Sequence, residues 1–115
     1  MTRPVVFFGI QGKDPKKLQD FYKQLFGWKI DASGPVGGMV EHGIGGPPEG
    51  IGGIIMQADA PSVTIHVQVL DLVETLAKAE SLGGKAVMQP IDVPGGPTVA
   101  QIADPEGNAI SLVKQ

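Results

Sequence analysis

The 115-residue sequence contains no cysteine, so disulfide bonds, thiol nucleophiles and thiolate metal ligands are all excluded. Charge is also sparse: nine lysines and arginines stand against twelve aspartates and glutamates, which gives a net charge of −3. The basic residues are scattered, apart from Lys13, Lys16 and Lys17. Because no larger basic patch exists, we expect neither nucleic acid nor an anionic membrane as a partner.

Long apolar runs are missing too, and none approaches the ~20 residues that span a bilayer. Residues 1–10 hold only a short apolar run and no small-residue cleavage pattern, which argues against a secretory signal. We therefore expect a cytoplasmic protein. A chain of this length buries one core, so a single domain over residues 1–115 is expected.

The first half of the sequence predicts a strand, a helix and three more strands. Residues 5–11 are β-branched and aromatic, which favours a strand. Asp14 is placed to cap the helix that follows, and Gly27 to end it. Five apolar residues recur at helical spacing and predict one stripe that docks on a sheet: Leu18, Phe21, Tyr22, Leu25 and Phe26.

Glycine is concentrated after this helix, with nine of the 17 glycines between Gly34 and Gly53. Short strands are expected on either side of and within this segment, at residues 28–31, 38–43 and 52–57. We interpret the segment as a flexible loop, with a lid over a pocket as the alternative.

The second half repeats the same order of elements. Residues 62–70 alternate between apolar and polar side chains, as in a half-buried strand. Asp71 and Glu74 form a capping box for the second helix, whose inner stripe is Leu72, Leu76 and Ala79. Strands are predicted at residues 85–89, 98–103 and 108–113, and the last two are joined by the turn Asp104-Pro105-Glu106-Gly107.

A shift of 57 residues superposes Asp14 on Asp71 and Gly27 on Gly84. The sequence thus predicts an α+β fold of two tandem βαβββ modules, at about residues 1–57 and 58–115. Two such modules can form a curved mixed sheet with the helices outside and a cup inside. A ferredoxin-like fold is the rival, but it needs only four strands and leaves residues 38–57 without a role.

Three motifs carry a resemblance to a known superfamily. They are D-P-x-K-x-x-D-F-Y-x-x-x-F-G-W over residues 14–28, Leu82-Gly83-Gly84-Lys85, and the hairpin Asp104-Pro105-Glu106-Gly107-Asn108. Together they resemble the vicinal oxygen chelate superfamily, which shares the glyoxalase, bleomycin resistance protein and extradiol dioxygenase fold. The sequence looks most like the small glyoxalase-like branch. The superfamily contains isomerases, dioxygenases, thiol transferases and metal-free binders, so the resemblance leaves the reaction open.

The resemblance also implies where a divalent metal would bind. In metal-dependent members, one His, Gln or Glu from each of four strands holds the ion. The matching positions here are Phe7 or Gly9, one of residues 54–56, Thr64 with His66 two residues on, and Ser111. Only His66 is a strong donor, whereas a zinc site needs about three. We therefore expect no metal and no other cofactor.

His66 is the candidate catalytic base or hydrogen-bond donor, and the alternative is a histidine satisfied by its neighbours. Phe7, in the place of a metal ligand, is interpreted either as filling the space that the ligand would leave or as an apolar wall for a planar ligand. The remaining candidate ligand-binding residues are Thr64, Gln101, Ser111 and, in the glycine-rich segment, His42.

These features predict a metal-independent small-molecule binder of the bleomycin-resistance kind. The alternative is a metal-dependent lyase or isomerase of glyoxalase I type, acting on a hemithioacetal or another vicinal-oxygen substrate. That enzyme would use His66 and a glutamate from a partner chain. The resemblance also implies a homodimer, and open sheet edges on a small fold agree with one.

Overall fold

The computed structural model describes residues 2–34, 37–41 and 50–114. By its contacts the chain forms two compact units. The first, called here the N-terminal unit, is residues 6–64. The second, the C-terminal unit, is residues 65–115 together with residues 1–5.

The N-terminal unit follows the order strand, helix, strand, strand, strand. Its elements are β1 (Val5–Gly12), α1 (Pro15–Phe26), β2 (Ile30–Asp31), β3 (Gly38–Val40) and β4 (Gly52–Gln57). Strand β1 pairs in parallel with β4, β4 pairs antiparallel with β3, and β3 pairs antiparallel with β2. The parallel pair is possible because α1 and the two short strands provide the long connection that it requires.

The C-terminal unit repeats this topology. Its elements are β5 (Ser62–Val69), α2 (Leu72–Ser81), β6 (Lys85–Asp92), β7 (Thr98–Ala103) and β8 (Ala109–Lys114). Strand β5 pairs in parallel with β8, β8 pairs antiparallel with β7, and β7 pairs antiparallel with β6. The predicted α+β class and the tandem βαβββ modules are therefore confirmed.

The helix α2 covers the hydrophobic core of its unit. Its N-cap is Asp71, whose Oδ1 accepts a hydrogen bond from the Glu74 backbone N–H at 3.0 Å, as predicted. Its inner side chains Leu72 and Leu76 are each only 4% exposed. They pack in one cluster with Val69, Ala100 and Leu112.

The helix α1 begins and ends where the sequence predicts. The Asp14 side chain accepts a hydrogen bond from the Lys17 backbone N–H at 3.1 Å, and Gly27 closes the helix with a φ of 72°. The prediction that the whole apolar stripe docks on the sheet is wrong. The side chains of Phe21, Leu25 and Phe26 remain 56%, 58% and 56% exposed.

The sheet-facing side of α1 combines Gln19, which is outside the predicted stripe, with Tyr22, which belongs to it. The Gln19 side-chain N–H donates to the carbonyl of Ile55 on β4 at 3.4 Å. The Tyr22 ring stacks on Trp28 with ring centroids 5.2 Å apart. The Trp28 ring in turn packs against Phe8 of β1, with ring centroids 5.4 Å apart. Because Gln19 and Tyr22 face inward, the helix is rotated so that one flank of its apolar stripe points to solvent.

Several strands differ in length from their predictions: β3 ends at Val40, and most other differences are of one residue. Strand β2 begins only at Ile30, and β6 continues through Pro90 to Asp92. Proline is tolerated in β6 because this strand has a partner on one side only within its unit and carries two register shifts. Among the described residues, neither helix is long and apolar enough to cross a bilayer.

Candidate ligand-binding site

Three predicted site residues lie side by side on neighbouring strands of the C-terminal unit. His66 of β5 pairs with Ser111 of β8 in the parallel ladder. Ser111 also pairs with Gln101 of β7 in the antiparallel ladder. Adjacent strands are about 4.8 Å apart, so His66, Ser111 and Gln101 form one line across the sheet. We call this line the polar row.

The polar row lies on the sheet face that points away from α2. Leu112 and Ala100, the sequence neighbours of Ser111 and Gln101, are 2% and 0% exposed in the core beneath α2. Because side chains alternate along a strand, Ser111 and Gln101 project from the opposite face. Val67 packs against the same core, which places its neighbour His66 on the face of the polar row.

The side chains around the polar row are neutral. Gln101 pairs with Met88 of β6, and the next line of the ladder joins Gln68, Val113 and Val99. All of these residues are half-buried. Among the paired strand residues that the structure describes, the charged one on this face is the exposed Lys85, which lies at the edge opposite Ala103. The face thus combines hydrogen-bonding groups with apolar surface, and its paired strand residues include no carboxylate.

His66 is the one ionisable member of the polar row. Burial lowers the pKa of its imidazole below the ordinary value of 6.5. The neutral form therefore dominates at neutral pH, with one nitrogen that donates and one that accepts a hydrogen bond. Thr64 lies two residues earlier on β5 and is also half-buried.

The corresponding face of the N-terminal unit is apolar. Phe7 is half-buried and pairs with Gly52 of β4, on the face opposite to the one that Phe8 shares with α1. The same face carries Ile54 and Met56 of β4. It therefore offers C–H surface at the positions where the family resemblance would place ligands to a metal.

The donor set does not fit a divalent metal. Phe7, Gly9, Ile54 and Met56 have no hard donor atom in their side chains, and Ser111 offers only an aliphatic hydroxyl. Within the described ranges, no group of three His, Asp or Glu side chains is arranged to hold a metal ion. Zn²⁺ and Ni²⁺ prefer imidazole, carboxylate or thiolate, so these positions are poorly suited to either.

Two grooves of the described structure lie elsewhere. Each is at a strand-to-helix junction: one of about 300 Å³ includes Lys13, Leu18 and Phe21, and one of about 220 Å³ includes Leu70 and Val73. Neither includes a predicted site residue. Since neither groove contains a histidine and Asp14 and Asp71 serve as helix N-caps, the chemistry of the polar row is a better guide to function than groove size.

The residues predicted for the site lie in different parts of the structure. The structure brings His66, Gln101 and Ser111 together, while Phe7 lies in the other unit and His42 lies outside the described residues. Sequence reasoning missed Gln68 and Met88. The alternation of β5 already put Gln68 on the face of His66, whereas Met88 depends on the register shifts of β6.

Comparison with known proteins identifies the family. A family model for a glyoxalase-like domain matches residues 8–113, which is nearly the whole chain. The chain belongs to the glyoxalase-like domain family. The resemblance to the vicinal oxygen chelate superfamily is thus confirmed. No functionally curated protein matches the sequence.

Several solved structures share the fold of this glyoxalase-like chain. A Mn(II)-bound glyoxalase from Novosphingobium aromaticivorans is 16% identical with a TM-score of 0.67; the match covers 98% of this chain but only 40% of that one. Methylmalonyl-CoA epimerase from Mycobacterium tuberculosis is 17% identical with a TM-score of 0.66, over 96% of this chain and 86% of that one. A hypothetical protein from Bacillus halodurans C-125 is 13% identical with a TM-score of 0.72, over 100% of this chain and 96% of that one. Such low identities show a shared fold and leave the activity open.

Proposed function

We propose that this glyoxalase-like domain is a metal-independent small-molecule binder whose ancestral metal site has degenerated. The observation that supports it is the composition of the polar row, where His66 is accompanied by Ser111 and Gln101 and by no carboxylate. A hydroxyl at Ser111 binds zinc poorly but donates and accepts hydrogen bonds well.

The N-terminal unit supports the same proposal independently. A metal-dependent site would need strong donors on β1 and β4, and these strands carry Phe7, Gly9, Ile54 and Met56 on the relevant face. Such side chains suit an apolar part of an organic ligand, since small-molecule sites are mostly apolar with a few placed polar groups.

The test is ligand screening by thermal shift on protein treated with a chelator. A ligand present at a hundred times its Kd stabilises the fold by about 2.7 kcal/mol, which is readily measured. The Ser111→Ala variant should lose much of the shift, while Ser81→Ala on the exposed surface of α2 serves as the matched control. Binding that disappears with the chelator, or near-stoichiometric Zn, Ni, Fe or Mn in the purified protein, would contradict the proposal.

The second candidate is a lyase or isomerase of glyoxalase I type. It is favoured by one observation, the fold shared with the Mn(II)-bound glyoxalase. His66 would act as the base, with a glutamate supplied by a partner chain. Turnover of methylglyoxal plus glutathione that requires added Mn²⁺, Ni²⁺ or Zn²⁺ would establish it, and a chelator should then abolish the activity.

We also propose that the protein is a cytoplasmic homodimer. An exposed apolar surface on α1 supports the dimer, because Phe21 and Leu25 are each more than half exposed and neighbour Leu18 at the helical spacings i, i+3 and i+7. In the second module the position equivalent to Phe21 is Lys78, so the fold itself does not require an aromatic side chain there.

A further inference from the structure

We infer that the polar row recognises an uncharged, planar ligand through an amide or lactam edge. This inference rests on the proposed small-molecule function and specifies the chemical class of the ligand. It uses three features of the C-terminal unit: the available hydrogen-bonding groups, the charges around them and the apolar side chains beside them.

The first feature is the pair formed by Gln101 and Ser111. They face each other across β7 and β8, so their side chains lie on one face at cross-strand contact distance, about 5 Å between Cβ atoms. Neither side chain hydrogen-bonds to another described residue. The Gln101 amide presents a donor and an acceptor side by side, and a second amide edge is the group that matches both.

The second feature is the neutral character of the strand residues that the described ladders place beside this pair. The ladder neighbours of Gln101 and Ser111 are Met88 and His66, and the exposed Lys85 lies at the edge of the face. Half-buried among neutral groups, a carboxylate or phosphate would lose hydration without gaining a charged partner. An amide loses far less hydration and recovers its hydrogen bonds, so the site discriminates in its favour.

The third feature is the apolar surface in the next line of the ladder. Val99 and Val113 pair with each other directly beside Gln101 and Ser111, and Met88 flanks Gln101 on β6. Valine side chains give a flat surface for a ring, and the methionine sulfur makes favourable contacts with aromatic edges. A planar ring carrying the amide edge therefore satisfies both the polar and the apolar parts of the face.

Benzamide and benzoate are suitable probes because they share a shape and differ in charge at about pH 8. Titrations followed by ¹H–¹⁵N NMR should show benzamide shifting backbone amides of β7 and β8. We expect its affinity to be at least tenfold higher than that of benzoate. The variant Gln101→Leu should weaken benzamide binding about tenfold, as expected when a matched hydrogen-bonding pair is lost. The variant Gln24→Leu, on the exposed surface of α1, is the control and should leave binding unchanged.

The outcomes separate this inference from the proposed function. If benzoate binds these strands as tightly as benzamide, or if Gln101→Leu binds benzamide like the wild type, the amide inference is wrong and the binding function stands. If neither probe shifts β7 or β8 while ligands from the thermal-shift screen do, the amide inference alone is overturned. If no compound shifts these strands, both are overturned. An unchanged spectrum of each unliganded variant away from the mutated strand confirms that it is folded.

Discussion

The ring of Phe8 lies directly over Gly53 on the neighbouring strand, where the two residues pair in the parallel ladder of β1 and β4. A Cβ atom at Gly53 would overlap this ring. We therefore expect Gly53→Ala to lower the free energy of unfolding by about 1 to 3 kcal/mol, the usual cost of overpacking. Urea denaturation followed by Trp28 fluorescence measures it, since Trp28 contacts Phe8. Gly34→Ala, where a Cβ meets open space, should stay within about 0.5 kcal/mol of wild type.

Replacing a leucine by alanine should lower the free energy of unfolding by different amounts on the two helices. Leu76 of α2 is 4% exposed, and Leu76→Ala should cost about 2 to 5 kcal/mol because it leaves a cavity in the core. Leu25 of α1 is 58% exposed, and Leu25→Ala should cost less than about 1 kcal/mol under conditions where the protein is monomeric. If chemical denaturation shows that both variants lose the same free energy of unfolding, Leu25 is more deeply buried than the structure shows.

The proposed dimer makes a prediction about Phe21. Phe21→Lys places in the first module the residue type that the second module has at Lys78, so the monomer should keep its fold. Sedimentation velocity at micromolar concentration should show a dimer for the wild type and a monomer for the variant. Val73→Lys is the control, because Val73 is also exposed, at 68%, but lies on α2. A monomeric wild type, or a dimeric Phe21→Lys protein, would contradict this surface as the interface.

The lowered pKa of His66 predicts a loss of stability in mild acid. Because burial holds the folded pKa below the ordinary 6.5, the unfolded chain binds the proton more readily. The contribution of neutral His66 to the free energy of unfolding is fully present above about pH 6.5. It is lost as the pH falls from there through the folded pKa. Denaturation midpoints from about pH 7.5 to 5 should therefore fall more for wild type than for His66→Gln. Parallel curves for the two proteins would show that His66 titrates equally in both states.

Asp104 titrates in a separate and lower range. Hydrogen bonds from the Asn108 side chain and backbone lower its pKa below 3.8, so its contribution is lost only as the pH falls below about that value, through the folded pKa. The acid effect of His66 can therefore be measured above pH 5 without interference from this turn.

The register of the polar row also predicts that a metal site can be built on it. Introducing Gln101→His and Ser111→Glu beside His66 would place three metal-binding side chains on adjacent strands. Zn²⁺ should then raise the melting temperature of the double variant, and a chelator should reverse the rise. Wild type and Ser111→Glu alone, with fewer donors, should respond much less. No response from the double variant would mean that the three side chains do not converge on one point.

Much of the fold could be predicted from local sequence signals. Asp14 and Asp71 cap the helices as predicted, because a carboxylate placed just before a helix satisfies its free N–H groups. Alternation along β8 likewise puts Ser111 on the face opposite the buried Leu112. These predictions succeeded because each depends on residues a few positions apart.

The failures depended on tertiary packing. The apolar stripe of α1 did not reveal how far the helix is rotated, which is set by the contact of Gln19 with the distant Ile55 and by the stacking of Tyr22 on Trp28, which itself contacts Phe8. Likewise, the place of Met88 beside Gln101 results from register shifts in β6 that no local pattern indicates. The predicted ligand roles stay predictions for all six site residues: Phe7, His42, Thr64, His66, Gln101 and Ser111.

The turn at Asp104 has a consequence for the order in which the molecule assembles. Its backbone carbonyl accepts from Gly107 at 2.9 Å, and its side chain accepts from the Asn108 backbone N–H at 2.9 Å. This hairpin brings Gln101 opposite Ser111 through contacts that are short in sequence, and hairpins close within about 1–10 μs. His66 reaches Ser111 only when β5 and β8 pair across a long stretch of chain, which is a slower event. We therefore expect the pair of Gln101 and Ser111 to form early during folding and His66 to join it late.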